Sequence, residues 1–298
     1  MPFQPGDSIL TTADDYVSNY LSFLSLQKRF GIKILQADNL PNGDLDPDHF
    51  RQMLYQHQPR LVAITHIPTN SGLVQDAAAV GALCRETDTL YLLDACQSVG
   101  QLPLDVQHIG CDFLSATGRK FLRGPRGTGF LYVSQRVLER GYAPLFVDLR
   151  GATWTGADSY ELQPDARRFE TWEVPYGLLL GLKEAIAYAN RIGLPQIQAY
   201  NQNLVTQLNY HLAGIDGVSQ FDKGTQRAAI LSFRKEGKSQ EATTAQLDQY
   251  GVRHSLSEKS SAQIDFARKG ISWAIRLSPH YFNTKEEVKA VAGIIRAL

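Results

Sequence analysis

Residues 90–120 read LYLLDACQSVGQLPLDVQHIGCDFLSATGRK. The apolar run Leu90–Leu93 is the right length for one strand, and it ends on Asp94-Ala95-Cys96-Gln97-Ser98. Phe113–Ala116 is a second such run, and it ends on Thr117-Gly118-Arg119-Lys120. Upstream, Leu61–Thr65 ends on His66-Ile67-Pro68-Thr69-Asn70-Ser71-Gly72. Near-continuous apolar runs suit strands buried on both faces. Ligands of open α/β sheets bind outside the carboxyl ends of the strands. A cap or turn explains polar residues at any one strand end. Three consecutive ends carrying ionisable and hydroxyl groups to one rim make a candidate site.

Outward from this stretch the pattern repeats. Ser8–Thr12, Ile32–Gln36 and Gly129–Val133 are further strand runs, and helix-like segments cover about 16–29, 46–57, 74–87 and 134–140. Asp46-Pro47 reads as an N-cap with Pro at the first helical position. Strand–helix alternation predicts an α/β fold with a doubly wound, mostly parallel sheet. Residues 143–176 mix aromatics, Gly, Pro and Arg without a period and read as a long loop. Helices are expected near 177–191 and 195–213. The tail reads as strands Ala228–Phe233, Val252–Leu256 and Trp273–Leu277 with helices Gln240–Tyr250 and Lys285–Ala297. The expected division is a large domain over 1–200 and a small C-terminal α+β domain over 201–298, with the boundary inside the 195–213 helix.

Composition excludes several classes. Of 298 residues 43% are hydrophobic and 20% charged, enough for a core and too apolar for wholesale disorder. Thirty Lys+Arg balance thirty Asp+Glu, so no net field draws the chain to nucleic acid or an anionic membrane. Three cysteines, Cys84, Cys96 and Cys111, give neither a disulfide framework nor a CxxC zinc pattern, and no metal is expected. No apolar run approaches the ~18 residues of a membrane span. Met1 to Asp7 has no basic or apolar leader signature. The expectation is a cytoplasmic protein that binds neither membrane nor nucleic acid.

The residue types at the rim suit one cofactor. An amine at a strand end forms a Schiff base with an aldehyde. A carboxylate beneath a pyridine ring keeps its nitrogen protonated, and the cationic ring accepts electrons from a carbanion at Cα. Thr117 and Arg119, beside Lys120 in a Gly-containing turn, offer a hydroxyl, backbone N–H groups and a cation to a phosphate. Asp94, Thr117, Arg119 and Lys120 together read as a pyridoxal 5'-phosphate (PLP) site. Taken alone, Arg119, Lys120, Arg123 and Arg126 also read as a basic loop. Gly124, Gly127 and Gly129 do not form G-x-G-x-x-G, and no Gly-Lys-Ser/Thr follows a strand, so a nucleotide site is a poor reading. The cysteines read as small core residues. His66 reads as a capping residue, while His108, His211 and His280 have no legible partner.

The stretch from His66 to Val133 resembles the class V aminotransferase family, the fold-type I PLP enzymes that include cysteine desulfurases, isopenicillin-N-epimerase-like proteins and C–S lyases. The resemblance rests on the three strand-end motifs, on Asp105-Val106 and Gly110-Cys111-Asp112-Phe113, and on the run from Lys120 into Gly124-Pro125-Arg126-Gly127-Thr128-Gly129. Asp94 and Lys120 stand 26 positions apart, the family's spacing. It continues through Trp154-Thr155, Arg168-Phe169-Glu170 and Arg276. It implies the fold-type I PLP-dependent transferase fold, a small amino-acid substrate and a homodimer whose 143–176 segment reaches the neighbour's site. By position, Lys120 is the Schiff-base lysine and proton shuttle, Asp94 the partner of the pyridinium nitrogen, and Gln97 the partner of the phenolic oxygen. Thr69 or Asn70 touches that same oxygen. Thr117 and Arg119 replace the family's more usual Ser and His and hold the phosphate. Tyr16, in Asp15-Tyr16-Val17-Ser18-Asn19, falls where many members carry a ring-stacking His; a core aromatic is the competing reading. Arg276 matches the Arg that binds the substrate carboxylate, against the alternative of a surface ion pair.

The chain departs from the family in three places. Cysteine desulfurases carry a catalytic Cys in a loop of the small domain, whereas Ser255–Ala262 has none and no Cys follows Cys111. That leaves elimination with C–S cleavage, epimerisation or transamination. Family members have a strand and helix before the Pro5-Gly6-Asp7 region, and the turn between them contributes to the phosphate site. The expectation is therefore an N-terminally incomplete chain that binds PLP weakly, with Gly129–Val133 left as an unpaired edge. In Thr171-Trp172-Glu173 an acid stands near where members contact the partner's phosphate. A second reading of function follows: a catalytically silent homologue or truncated fragment with a scaffold or partner-binding role, which Lys120→Ala separates from an enzyme.

Overall fold

The structure is a computed structural model that describes residues 3–298; Met1 and Pro2, which open the stretch read above for a leader, lie outside the described residues. The first half alternates as β1 (Ser8–Thr12), α1 (Val17–Phe30), β2 (Lys33–Ala37), α2 (Pro47–His57), β3 (Leu61–Thr65), α3 (Ala77–Glu86), β4 (Leu90–Asp94), α4 (Val106–Ile109), β5 (Phe113–Thr117), β6 (Gly129–Val133) and α5 (Gln135–Glu139). The helices start where acids can cap them. Asp46, Asp76 and Asp105 each accept backbone N–H bonds from the first turns of α2, α3 and α4. The strands form one sheet in the order β2-β1-β3-β4-β5-β6, parallel throughout except between β5 and β6. This is the expected α/β architecture with a mostly parallel sheet.

Strand alternation divides the core. Leu10, Val62, Ile64, Tyr91 and Leu93 pack with Phe50, Leu54 and Val80 on one face of the sheet. Ile9, Leu61, Ala63 and Leu90 pack with Phe23 and Val137 on the other. Every residue of β1 and β3 is buried, whereas the edge strand β6 leaves Phe130 and Leu131 exposed.

The second half runs β7 (Ala152–Gly156), β8 (Ser159–Leu162), α6 (Tyr176–Ile192), α7 (Leu194–Ala213), β9 (Val218–Gln220), β10 (Leu231–Lys235), α8 (Gln240–Gln249), β11 (Ser255–Glu258), α9 (Gln263–Lys269), β12 (Trp273–Leu277) and α10 (Lys285–Arg296). A second sheet has the antiparallel order β11-β12-β10-β9. Ile197 of α7 packs with Leu122, while Leu204, Leu208 and Leu212 pack against the second sheet with Phe233, Ile275 and Ile295.

Several expectations need correction. The 143–176 segment is not a structureless loop: β7 and β8 pair as a hairpin, with Trp154 opposite Tyr160. Phe146, Trp154, Tyr160 and Trp172 are exposed, so no continuous buried face imposed a period. The strand expected at Ala228 starts at Leu231, because Ala228 N–H donates to the Gly72 carbonyl and Ala229 N–H to Gln101 Oε1 on the first sheet's rim. The strand expected at Val252 starts at Ser255, because Val252 N–H is used on Leu247 to close the end of α8. Helix α9 has only 7 residues, too few for a legible period, and ends on Gly270 at φ +67°.

Candidate functional site

The register of the sheet makes the rim. Thr65 pairs with Asp94 and Asp94 with Ser115, so β3 and β4 end at one level and β5 runs on two residues to Thr117. Asp94 is buried at the end of β4. Its Oδ2 accepts from Asn19 Nδ2 at 2.9 Å, and its Oδ1 accepts from the Cys96 N–H at 2.9 Å. The Asn19 amide also donates to Asp15 Oδ1 at 3.1 Å. Asp15 accepts further from the Tyr16 N–H at 2.7 Å, from Thr65 Oγ1 at 2.5 Å and from Thr11 Oγ1. Burial holds the Asp15 carboxyl above the usual range despite these donors. One amide thus ties a carboxylate on the β1–α1 turn to the carboxylate on β4.

Lys120 is half-buried on the turn after β5, and its Nζ lies 5.6 Å from the centroid of the Tyr16 ring. Burial lowers the Lys120 pKa most; Arg119 and Arg276 lower it further, while Cys96 and Asp94 oppose them. The turn is seated from two sides. Gly100, at φ +91°, lets the backbone of Phe121 and Leu122 approach so closely that a Cβ would lie 2.5 Å from Leu122 N. From the C-terminal part of the chain, the His280 ring bonds the Phe121 carbonyl through Nε2 at 2.8 Å and accepts the Tyr281 N–H on Nδ1 at 2.8 Å. Burial pushes the His280 pKa down to about 4, so it holds this contact as a neutral ring.

Gln97 is buried, and its Nε2 donates to Thr69 Oγ1 at 3.4 Å. The Thr69 carbonyl accepts from Arg276 Nη1 at 2.8 Å, and Ser255 Oγ accepts from Arg276 Nη2 at 3.2 Å. Arg276 Nε is buried without a partner, and burial together with Arg119 lowers the guanidinium's pKa. Asn70 turns its amide away, donating to the Ser261 carbonyl at 3.4 Å. Thr117 Oγ1 donates to the Thr128 carbonyl at 3.4 Å, and Arg119 is exposed. Among the described residues, no carboxylate lies within salt-bridge range of Arg119, Lys120 or Arg276. The rim therefore gathers three cations, one buried carboxylate and one aromatic face. Such an arrangement can accept anionic groups beside a flat ring.

Sequence reasoning named Tyr16 but missed Asn19, Asp15, Thr65 and Ser255, whose roles depend on contacts across the fold. Cys84 and Cys111 are buried, as read. Cys96 is not a core residue: it is half-buried beside Asp94 and Lys120, and burial with the nearby Asp94 pushes its thiol up to about 12. His66 does not cap a helix. It lies at the wall of a cleft of about 570 Å³ with Gln75 and Asp76, its Nδ1 unpartnered, and burial takes its pKa down to about 4. Among the described residues, no group of three or more His, Cys, Asp or Glu is placed to hold a metal, and no helix is long and apolar enough to cross a membrane.

Comparison with known proteins agrees in one direction. A family model for aminotransferase class-V matches residues 1–291. A probable cysteine desulfurase of Methanothermobacter thermautotrophicus is 31% identical over 300 residues, which is 99% of this chain and 74% of that protein. The apo structure of a cysteine desulfurase from Thermococcus onnurineus NA1 superposes with a TM-score of 0.91 at 26% identity, covering 99% of this chain and 73% of that one. A cystine C–S lyase in complex with cysteine persulfide superposes with a TM-score of 0.85, covering 99% of this chain and 76% of that one. At 23% identity that last likeness carries the fold alone.

Proposed function

The chain belongs to the class-V aminotransferase family, and from that premise we propose that it is a PLP-dependent enzyme that eliminates sulfur from a small amino acid of the cysteine type. One observation carries the reading: a half-buried lysine over the Tyr16 ring, within electrostatic reach of a buried Asp94 that is already held by Asn19 and the Cys96 N–H. The donor set fits the cofactor. Asp94 would hold the proton of the ring nitrogen, Tyr16 would cover the ring, and Gln97 with Thr69 would take the phenolic oxygen, with Asn70 next to them. Thr117 and Arg119 would take the phosphate. Arg276, with Nε free, would take the substrate carboxylate.

Bound there, PLP would supply an aldehyde carbon for an amine and a cationic ring able to draw electrons from Cα. The lowered pKa of Lys120 brings its amine closer to the range in which it accepts a proton at neutral pH. Lys120 Nζ would take the proton from substrate Cα, and sulfur would leave Cβ with the electrons of the Cβ–S bond. Transfer of sulfur to the protein would need a thiolate, and Cys96 is kept protonated by its surroundings. Elimination is therefore favoured over persulfide formation.

The test is product analysis. The chain incubated with PLP and L-cysteine is expected to release pyruvate, ammonia and sulfide in equal amounts, and Lys120→Ala to release none. L-Alanine as the product would overturn elimination in favour of desulfuration, and unchanged turnover in Lys120→Ala would overturn the whole assignment.

The same premise supports a homodimer of a chain that works in the cytoplasm, with 201–298 as the smaller unit carrying Arg276. Phe146 is 86% exposed and Trp154 78%, and Leu145, Leu149, Trp172 and Leu180 are exposed in the same part of the chain. Large apolar side chains exposed along one stretch of chain suit burial against a partner. Light scattering on Phe146→Ser/Trp154→Ser is expected to report monomers where the parent chain reports dimers; a monomeric parent would refute the pairing.

A further inference from the structure

The β1–α1 turn that carries Asp15 and Tyr16 also carries Asp14, which faces another way. The Asp14 carboxyl is in hydrogen-bonding contact with the carboxyl of Asp265 on α9. Asp265 is 8% exposed. Two ionised carboxylates have no proton to donate and repel each other, so such a contact requires one shared proton.

The surrounding groups do not remove that requirement. Asn39 Nδ2 donates to Asp14 Oδ2 at 3.1 Å, and Lys269 Nζ donates to Asp265 Oδ2 at 2.8 Å. Lys223 and Arg268 line the same cleft of about 200 Å³. Arg268 is engaged elsewhere, by Asp38 at 3.2 Å and Asn39 Oδ1 at 3.4 Å, and Asp38 also faces His49 Nδ1 at 3.3 Å. Asp15, next in the chain, is directed at Thr11, Thr65 and Asn19. One ammonium is thus hydrogen-bonded to one of the two carboxyls, and burial opposes the ionisation of Asp14.

The position of α9 matters to the site. Helix α9 follows directly on residues 259–261, where the Ser261 carbonyl accepts from Asn70. The preceding strand β11 carries Ser255, which accepts from Arg276. We propose that Asp14 and Asp265 are a positioning pair, a one-proton latch that seats α9 on the turn bearing Tyr16, and that loss of the proton loosens the 259–269 segment beside Arg276.

The pH window follows from the pair. Burial first, and Asp265 second, raise the Asp14 pKa from 3.8 to about 7. When α9 lifts away, the group returns toward its ordinary value and releases its proton more readily. The latch is therefore at full strength in acid, weakens as pH rises from about 4 to about 7, and weakens no further above that. Between about 4 and about 7, local opening becomes roughly tenfold easier for each unit that the pH rises.

Hydrogen exchange on the full chain, with and without PLP and corrected for intrinsic rates, tests this. Protection of the α9 amides is expected to fall on the order of a hundredfold from pH 5 to pH 8 and then level off, while α10 stays unchanged. In Asp265→Asn the amide donates to Asp14 and only burial still raises its pKa, so the fall in α9 protection should be smaller than in the parent; in Asp14→Asn the titrating carboxyl is gone and α9 protection should be flat. No fall in the parent chain, or an equal fall in both variants, would overturn the latch. Exchange without PLP reads it independently of the proposed chemistry, and failure of turnover with the exchange pattern intact would count against that chemistry alone.

Discussion

Replacing Gly100 with Ala tests whether the seat of the Lys120 turn is set by backbone contact. The new Cβ would lie 2.5 Å from Leu122 N, 2.5 Å from the Phe121 carbonyl carbon and 2.8 Å from its oxygen. All three are backbone atoms, so no side chain can rotate away. Relief to an ordinary contact of ~3.5 Å moves the segment by about 1 Å. Ala at φ +91° adds about 1–2 kcal/mol of conformational strain, and overpacking typically costs about 1–3 kcal/mol. Together they subtract roughly 2–5 kcal/mol from a stability that for most proteins is about 5–15 kcal/mol. Lys120 is the residue before Phe121, and a 1 Å error in a reacting group costs about 100-fold in rate. Urea unfolding is expected to show the loss of stability, and kcat for release of pyruvate from L-cysteine should drop about 100-fold at a temperature where the variant is folded. Gly293→Ala is the control: Gly293 lies inside α10 with open space around its added Cβ, and the change should stabilise by about 1 kcal/mol. A Gly100→Ala chain with unchanged unfolding midpoint and unchanged kcat would refute the seating.

His280→Gln should make the chain less sensitive to acid. The ring's pKa is about 4 in the fold against an ordinary 6.5, so the unfolded chain binds the proton first. Stability is then complete above about 6.5 and is lost as pH falls toward 4, by up to about 3 kcal/mol from this group; unfolding midpoints at pH 7.5 and 5 in parent and variant measure it, and equal acid losses would count against it. Cys96, held protonated with its pKa near 12, should react with iodoacetamide at pH 8 far more slowly than a free thiol, and Cys96→Ala should keep most of the turnover; rapid alkylation that abolishes activity would make it a nucleophile after all.

The first sheet was legible in the chain because its inner strands β1, β3 and β4 are buried on both faces and the polar residues gather at strand ends. Ser8–Thr12, Leu61–Thr65 and Gly129–Val133 have the expected bounds. Legibility fails where a residue's role is decided by a distant partner. Asn19 sits on α1 and looks like any exposed helical amide, but its partner Asp94 is 75 positions away. His280 is interpretable only once Phe121, 159 positions distant, is beside it. The β7–β8 hairpin was invisible for a different reason. Its residues bury nothing within the chain, so burial imposed no alternation of apolar and polar positions.

The carboxylates of this protein are graded by what they are bonded to. Asp94 faces the cations at the rim with its oxygens partly occupied by Asn19 and the Cys96 N–H. Asp15 lies behind it, wrapped in donors from Thr11, Thr65, Tyr16 and Asn19. Asp14 has a competing carboxyl in place of a full set of donors. All three acids bear on one short turn between β1 and α1 or on its link to β4 through the Asn19 amide. A change at that turn therefore has three separable consequences: loss of the charge at the rim, loss of the brace behind it, or loss of the contact with α9. Val17 and Ser18, which follow Tyr16, take no part in these hydrogen bonds to the three acids, so the turn is held through Asp14, Asp15 and Asn19. Substituting these residues singly should separate the three roles, because Asp14 meets α9, Asp15 meets Thr65 on β3 and Asn19 meets Asp94 on β4.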